Sequence, residues 1–185
     1  MEKIPTLFLR NPDNMTLVTG EVNPDAAWVL EGYGTPTVKK DGTNIRVTVQ
    51  SGQCVHVEKR RNPTREEKAA GVEPGYVDAN RDNPSDKHIF AAVDATNFSG
   101  YPNGEWSCEA LGPKIQGGAE SDTPCLYPFT LAPLTITDNP RTWEEIRDYL
   151  KEHEIEGIVW HDPQLYRMAK IKRKDFGLQW PVKKQ

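Results

Sequence analysis

Cysteine is scarce in this chain. The three in 185 residues, Cys54, Cys108 and Cys125, are odd in number and lack metal-ligand spacing. A disulfide framework and a thiolate metal site are therefore both unexpected, and a reducing cytoplasm is the expected compartment. No apolar run approaches the roughly 20 residues that cross a bilayer. The opening Met1-Glu2-Lys3-Ile4-Pro5 lacks the basic-then-apolar layout of a signal peptide. Internal repeats and low-complexity tracts are missing too. These absences point away from secreted, membrane-spanning and repeat architectures.

What remains is ordinary in bulk. Hydrophobic residues make up 36% and charged residues 27%, the balance of a soluble globular protein. A length of 185 residues suits one domain with a real core, here taken as residues 1–185 in a monomer. Fifteen prolines and 14 glycines imply extensive loops. The net charge of −4 hides a split: seven Lys or Arg against one Asp from Arg167 to Gln185, six against two from Val38 to Arg61, and six carboxylates against two cations from Glu144 to Glu156. Overall acidity argues against indiscriminate nucleic-acid binding, whereas local basic clusters allow a focused phosphate site.

Periodicity indicates a mixed α+β fold. Thr35 to Gln50 reads as strand, turn and strand, with Ile45, Val47 and Val49 alternating with polar neighbours. Cys54 to Arg60 continues as a strand. Asn62 to Ser85, rich in Pro, Gly and charge, reads as a long mobile segment with one helical turn at 64–70. A short helix is expected over 88–95, and strands over 105–111, 126–136, 155–161 and 168–172. Thr142 to His153 is the clearest helix: Thr142 and Glu145 form a capping box ahead of an apolar face of Trp143, Ile146 and Leu150.

The chemistry gathers around Val38-Lys39-Lys40-Asp41-Gly42-Thr43-Asn44. A lysine two residues before Asp-Gly can present an amine to phosphorus. An amine of ordinary pKa, about 10.4, must first lose its proton, which neighbouring cations favour. An ordinary Lys-Asp-Gly hairpin turn would give the same pattern. Lys170 and Lys172 share one face of a strand, with Lys174 continuing it if the strand extends. Together they offer a triphosphate clamp, or simply a lysine-guarded edge. Glu156, at the rim of an apolar strand, and Glu109 are candidate carboxylates for a divalent cation. Lys59-Arg60-Arg61 closes a strand with positive charge.

In order, VKKDGTN, EKRRNP, EALGPKIQGG, EGIVWH and MAKIKRKDFG resemble the covalent nucleotidyltransferases, the superfamily of polynucleotide ligases and mRNA capping enzymes. Within it the chain looks most like compact ATP-dependent RNA ligases, in the small family that includes animal 5′-to-3′ RNA ligases. The resemblance runs from Val38 to Gly177. It implies a ligase adenylation domain with antiparallel sheets flanking a nucleotide cleft. By the same resemblance, Lys39 carries AMP, Asp41 and Gly42 complete its motif, and Thr43 and Asn44 lie near the phosphates. Arg60 contacts the 5′-phosphate, with Arg61 its rival. Glu109 contacts ribose or metal-bound water. Phe129 stacks on adenine, with Tyr127 its rival. Lys170 and Lys172 hold the α-phosphate. The implied cofactors are ATP and magnesium, or manganese in its stead, with Glu156, Glu109 and Asp41 as metal ligands. The implied partner is RNA bearing 5′-phosphate and 3′-hydroxyl ends.

Two departures stand out. With Lys172 so near the end of the sequence, no C-terminal oligonucleotide-binding domain is expected, and residues 1–30 form an extension of no assignable role. A GTP-dependent capping-type guanylyltransferase, or a non-catalytic RNA- or nucleotide-binding module on the same fold, fits much of the pattern.

Overall fold

Alternating apolar residues carry through most of the strands. A computed structural model describes residues 4–131 and 133–182. In chain order the elements are β1 (Phe8–Asn11), β2 (Asn14–Val22), β3 (Thr35–Lys39), β4 (Thr43–Gln50), β5 (Gln53–Arg61), α1 (Arg65–Ala69), β6 (Gly75–Asp78), α2 (Lys87–Asp94), β7 (Gly104–Leu111), β8 (Cys125–Pro128), α3 (Trp143–Glu152), β9 (Gly157–Asp162) and β10 (Arg167–Lys172). The fold is α+β with antiparallel sheets. Among the described residues no helix is long and apolar enough to cross a membrane. The tail lysines Lys183 and Lys184 and the first three residues fall outside the described chain.

The chain divides into two compact units. One spans Asp41–Pro133; the other joins the stretch ending at Lys40 to the stretch beginning at Leu134. The continuous unit holds a five-stranded sheet in the order β6-β5-β4-β7-β8. One face buries Ile45, Val47, Val49, Val57, Cys108, Ala110 and Leu126 against Ile89, Phe90 and Val93 of α2. Each such aliphatic side chain contributes about 1.5–3 kcal/mol when removed from water. Residues of opposite parity put Asn44, Arg46, Glu58, Arg60, Glu109 and Tyr127 on the other face.

The interrupted unit holds a three-stranded sheet in the order β10-β9-β3 and the hairpin β1-β2. Its core joins Ile158, Trp160, Ala169 and Ile171 of the sheet to Ile146 and Leu150 of α3 and to Leu7, Phe8, Trp28 and Val29. The first 30 residues, opaque in the sequence, therefore supply core. Helix α3 begins as its sequence predicts. Thr142 Oγ1 accepts from the Glu145 amide at 3.2 Å, and Glu145 Oε2 accepts from the Thr142 amide at 3.1 Å, a cap worth about 1 kcal/mol.

Several expectations need correction. Lys-Lys-Asp-Gly is not a hairpin turn, because β3 pairs with β9 while β4 pairs with β5 and β7. The strand expected over 126–136 ends at Pro128, a residue that cannot donate to a ladder. Thr135 makes only an isolated bridge to Thr37. The segment 62–85 contains β6, paired with β5. Lys174 lies in a 3-10 turn, Arg173–Phe176, and does not extend the face of Lys170 and Lys172.

Candidate active site

Register brings three charged residues to one row of the three-stranded sheet. Lys39 on β3 and Lys172 on β10 both stand opposite Gly157 of β9. Glu156 immediately precedes that glycine and is 4% exposed. Its Oε2 accepts from Lys39 Nζ at 2.5 Å, and its Oε1 pairs with Lys172 Nζ at 2.7 Å. The Lys39 ammonium also donates to the Lys40 carbonyl at 3.3 Å. Glu156 is thus no solvent-facing rim residue: burial of its carboxylate is compensated by two ammoniums, as buried charge demands. The lysines are 20% and 35% exposed at their side chains, so the cluster opens to solvent on the cationic side.

Gly157 is fixed by space. A Cβ there would lie 2.1 Å from the Ile171 carbonyl oxygen. Only glycine lets β10 approach so closely, and that approach sets Lys172 beside Glu156. The turn after β10 is tied down as well. Asp175, buried, accepts from the Lys172 amide at 2.8 Å and from Arg10 at 2.6 Å. Arg173 donates to the carbonyls of Leu150 and His153 at the end of α3, and its own amide donates to the Glu156 carbonyl at 2.8 Å. Burial pushes the Arg173 guanidinium down from its usual value, while the negative end of the α3 dipole offsets the cost of that charge. Lys170 pairs with Val159 two residues along the same face.

The other expected residues lie in the continuous unit, mostly on the polar face of its sheet. Asn44, Glu109 and Tyr127 are register partners across β4, β7 and β8. Glu109 Oε1 accepts from the Gly42 amide at 3.1 Å. Gly42 owes its identity to β7, since a Cβ there would meet the Ala110 carbonyl oxygen at 2.3 Å. The Asp41 amide donates to Glu120 at 3.0 Å, and Thr43 stands opposite Ala110. Phe129 and Tyr127 meet edge-on, their ring centroids 6.1 Å apart. Cys108, next to Glu109, is buried and its thiol is pushed up to about 12, first by desolvation, so it is no nucleophile near neutral pH.

The arginines divide clearly. Arg61 is held by two 2.8 Å bonds to Glu67. Arg60 makes no such bond among the described residues, and stands opposite Tyr76. Arg46 grips Glu58 through bonds of 2.6 and 2.8 Å, which holds the Glu58 carboxyl below its ordinary range. Lys59 faces away from this set and pairs with the buried Asp86 at 2.5 Å.

Sequence reasoning missed Arg46, Glu58, Tyr76 and Glu120. The one local signal for Tyr76 is the alternation in Gly75-Tyr76-Val77-Asp78, too short to stand out between glycine and proline. The metal expectation finds no preformed cage. Among the described residues no group of three or more His, Cys, Asp or Glu side chains could hold an ion, and both Glu156 oxygens engage ammoniums. Compared with models of known protein families the chain matches none, and no curated protein matches it significantly.

Proposed function

We propose that this protein is an ATP-dependent RNA ligase acting through a lysyl-AMP intermediate. The observation that carries the reading is the Lys39–Glu156–Lys172 row. Residues far apart in sequence, singled out by the resemblance to covalent nucleotidyltransferases, meet around one buried carboxylate.

In the proposed first step Lys39 Nζ, as the free amine, attacks the α-phosphorus of ATP. An N–P bond forms and the bond to pyrophosphate breaks. Glu156 Oε2, at 2.5 Å, is placed to accept the proton that Nζ gives up. Lys172 and Lys170 supply positive charge for the phosphate oxygens, fixed in place before the reaction, the arrangement that contributes most to such catalysis. In the second step the 5′-phosphate of RNA takes AMP from Lys39, breaking the N–P bond. In the third a 3′-hydroxyl attacks that phosphate and AMP leaves. Arg60, which has no ion pair among the described residues, is the better candidate of the arginine pair for a 5′-phosphate, because Arg61 would first have to leave Glu67. Glu109, Asn44, Phe129 and Tyr127 are candidates for ribose, phosphate and base.

Among the described residues no preformed magnesium site occurs, so no step is routed through a metal. A divalent ion carried in on the triphosphate would neutralise phosphate charge.

The test is labelled ATP with magnesium, a denaturing gel, then 5′-phosphorylated RNA. A covalent adenylyl adduct that is labile to acid, stable to hydroxylamine and discharged by RNA is expected. Failure to form any adduct with ATP refutes the reading, and an adduct formed with GTP alone gives the capping-type chemistry instead.

A further inference from the structure

Asn44 presents a primary amide on the polar face of the five-stranded sheet. Such a group has two different ends: an oxygen that only accepts and a nitrogen that only donates. Which end meets a ligand depends on what holds the other. Here the Tyr76 hydroxyl donates to Asn44 Oδ1 at 2.7 Å. The phenol ring is itself held, with the Arg46 guanidinium 4.8 Å from its centroid, and Arg46 is pinned by Glu58. Arg60 stands opposite Tyr76 in the β5–β6 ladder. No further hydrogen bond of the Asn44 side chain occurs among the described residues, and the residue is only half-buried.

We infer that Tyr76 is a positioning residue that locks the Asn44 amide with its nitrogen turned out as a donor for a phosphate oxygen. The chemistry favours an acceptor-only ligand. With Oδ1 occupied, the amide offers two N–H bonds, and the adjacent Arg60 offers only donors. Phosphate oxygens accept and never donate, so they match both groups. Glu109, opposite Asn44 on β7, is an acceptor whose Oε1 already takes the Gly42 amide, so a ligand's donors would turn toward β7 and its acceptor oxygens toward Asn44 and Arg60. Naming the phosphate as that of ATP or the 5′ end of RNA rests on the ligase reading.

The test follows the Asn44 side-chain amide by ¹H–¹⁵N NMR in the full chain. Pyrophosphate and a 5′-phosphorylated oligoribonucleotide are titrated separately, and the one that moves the resonance identifies the source. Tyr76→Phe keeps the ring beside Arg46 and removes only the hydroxyl. It should weaken the responding ligand about tenfold, the scale of one hydrogen bond's positioning. In an Asn44→Ala background the same change should alter affinity by less than about twofold, because the amide it orients is gone. Asn44→Asp keeps an acceptor for Tyr76 but sets an anionic oxygen where the donor stood, so it should lose more than about tenfold. The inference is overturned if neither ligand moves the Asn44 amide, if Asn44→Asp binds normally, or if Tyr76→Phe costs as much without Asn44 as with it. Lysyl-AMP formation is scored separately. A parent protein that forms no adduct while the amide responds as described refutes the ligase reading and leaves this one standing.

Discussion

The two sheets treat charge in opposite ways. In the three-stranded sheet, two ammoniums converge on one buried carboxylate. The row has more positive charge than negative, and its sole carboxylate is shared. In the five-stranded sheet, each cation of these pairs has its own carboxylate: Arg46 is held by Glu58 and Glu105, Arg61 by Glu67, and Lys59, on the opposite face, by Asp86. Arg60 is left over. A shared carboxylate can release either lysine to an incoming anion at modest cost, because the other still compensates it. A bidentate pair has no such freedom, and serves to hold neighbours still. The first arrangement suits chemistry on phosphate; the second suits a rigid surface on which a few groups are aimed.

The sharpest way to break that contrast is at Lys39. Lys39→Ala should abolish the covalent adenylyl adduct seen by intact mass, while Lys40→Ala retains it. An adduct that persists without Lys39 removes the three-stranded row from the chemistry.

Next in size are changes to the row's geometry and charge. Gly157→Ala forces a methyl against the Ile171 carbonyl oxygen and should cost about 3 kcal/mol or more, read by denaturant unfolding. Glu156→Gln preserves shape but leaves two ammoniums facing each other without a carboxylate. It should end adenylylation and lower stability by about 1–3 kcal/mol, less than for a fully buried pair because both lysines reach solvent. The exposed Glu152→Gln should change neither. A Glu156→Gln protein with parental melting temperature and activity would show that the shared carboxylate is ornamental.

How much of this could be read from the sequence depends on how local the cause is. Helix α3 could be, because Thr142, Glu145, Ile146 and Leu150 carry its start and its buried face within one stretch. Strands β4, β7, β9 and β10 could be, because each alternates by itself. Pairing could not: nothing near Lys39 says that β3 lies beside β9 rather than β4. Nor could the burial of Glu156, which follows from two lysines on other strands. The β1-β2 hairpin stayed hidden because its core residues, Phe8 and Val18, sit among polar neighbours without a clear period. The candidate residues were named by the order of their motifs; what that order could not supply is which of them touch.

The five-stranded face offers a smaller test. Arg60→Ala should slow transfer of AMP to 5′-phosphorylated RNA, measured in single turnover on pre-adenylylated protein, whereas Arg61→Ala should leave it unchanged. Equal losses would mean that the Glu67 pair does not withhold Arg61 from substrate.

Smallest is a pH effect. The Arg46 guanidinium lowers the Glu58 pKa, so the folded state binds that proton less readily than the unfolded chain. The pair's contribution is therefore complete above the unfolded value of about 4.3 and fades as pH falls through the depressed folded value. Glu58→Gln should cost about 1 kcal/mol at pH 7, and the gap should close in acid below pH about 4. A gap that widens in acid would mean that Arg46 does not govern this carboxylate.

One feature of the fold bears on how the protein is made. The unit holding the lysine row is split in sequence, with residues 41–133 forming the other unit between its halves. Lys39 is synthesised before the continuous unit, Glu156 and Lys172 after it. The continuous unit has all its strands in hand before β9 exists, and units tend to fold as they emerge. Lys39 is therefore made well before its carboxylate and its companion lysine. Closure of the β3–β9 ladder is then the event that turns a surface lysine into a member of the row, so under the proposed chemistry a chain that has not yet made β9 would be inactive.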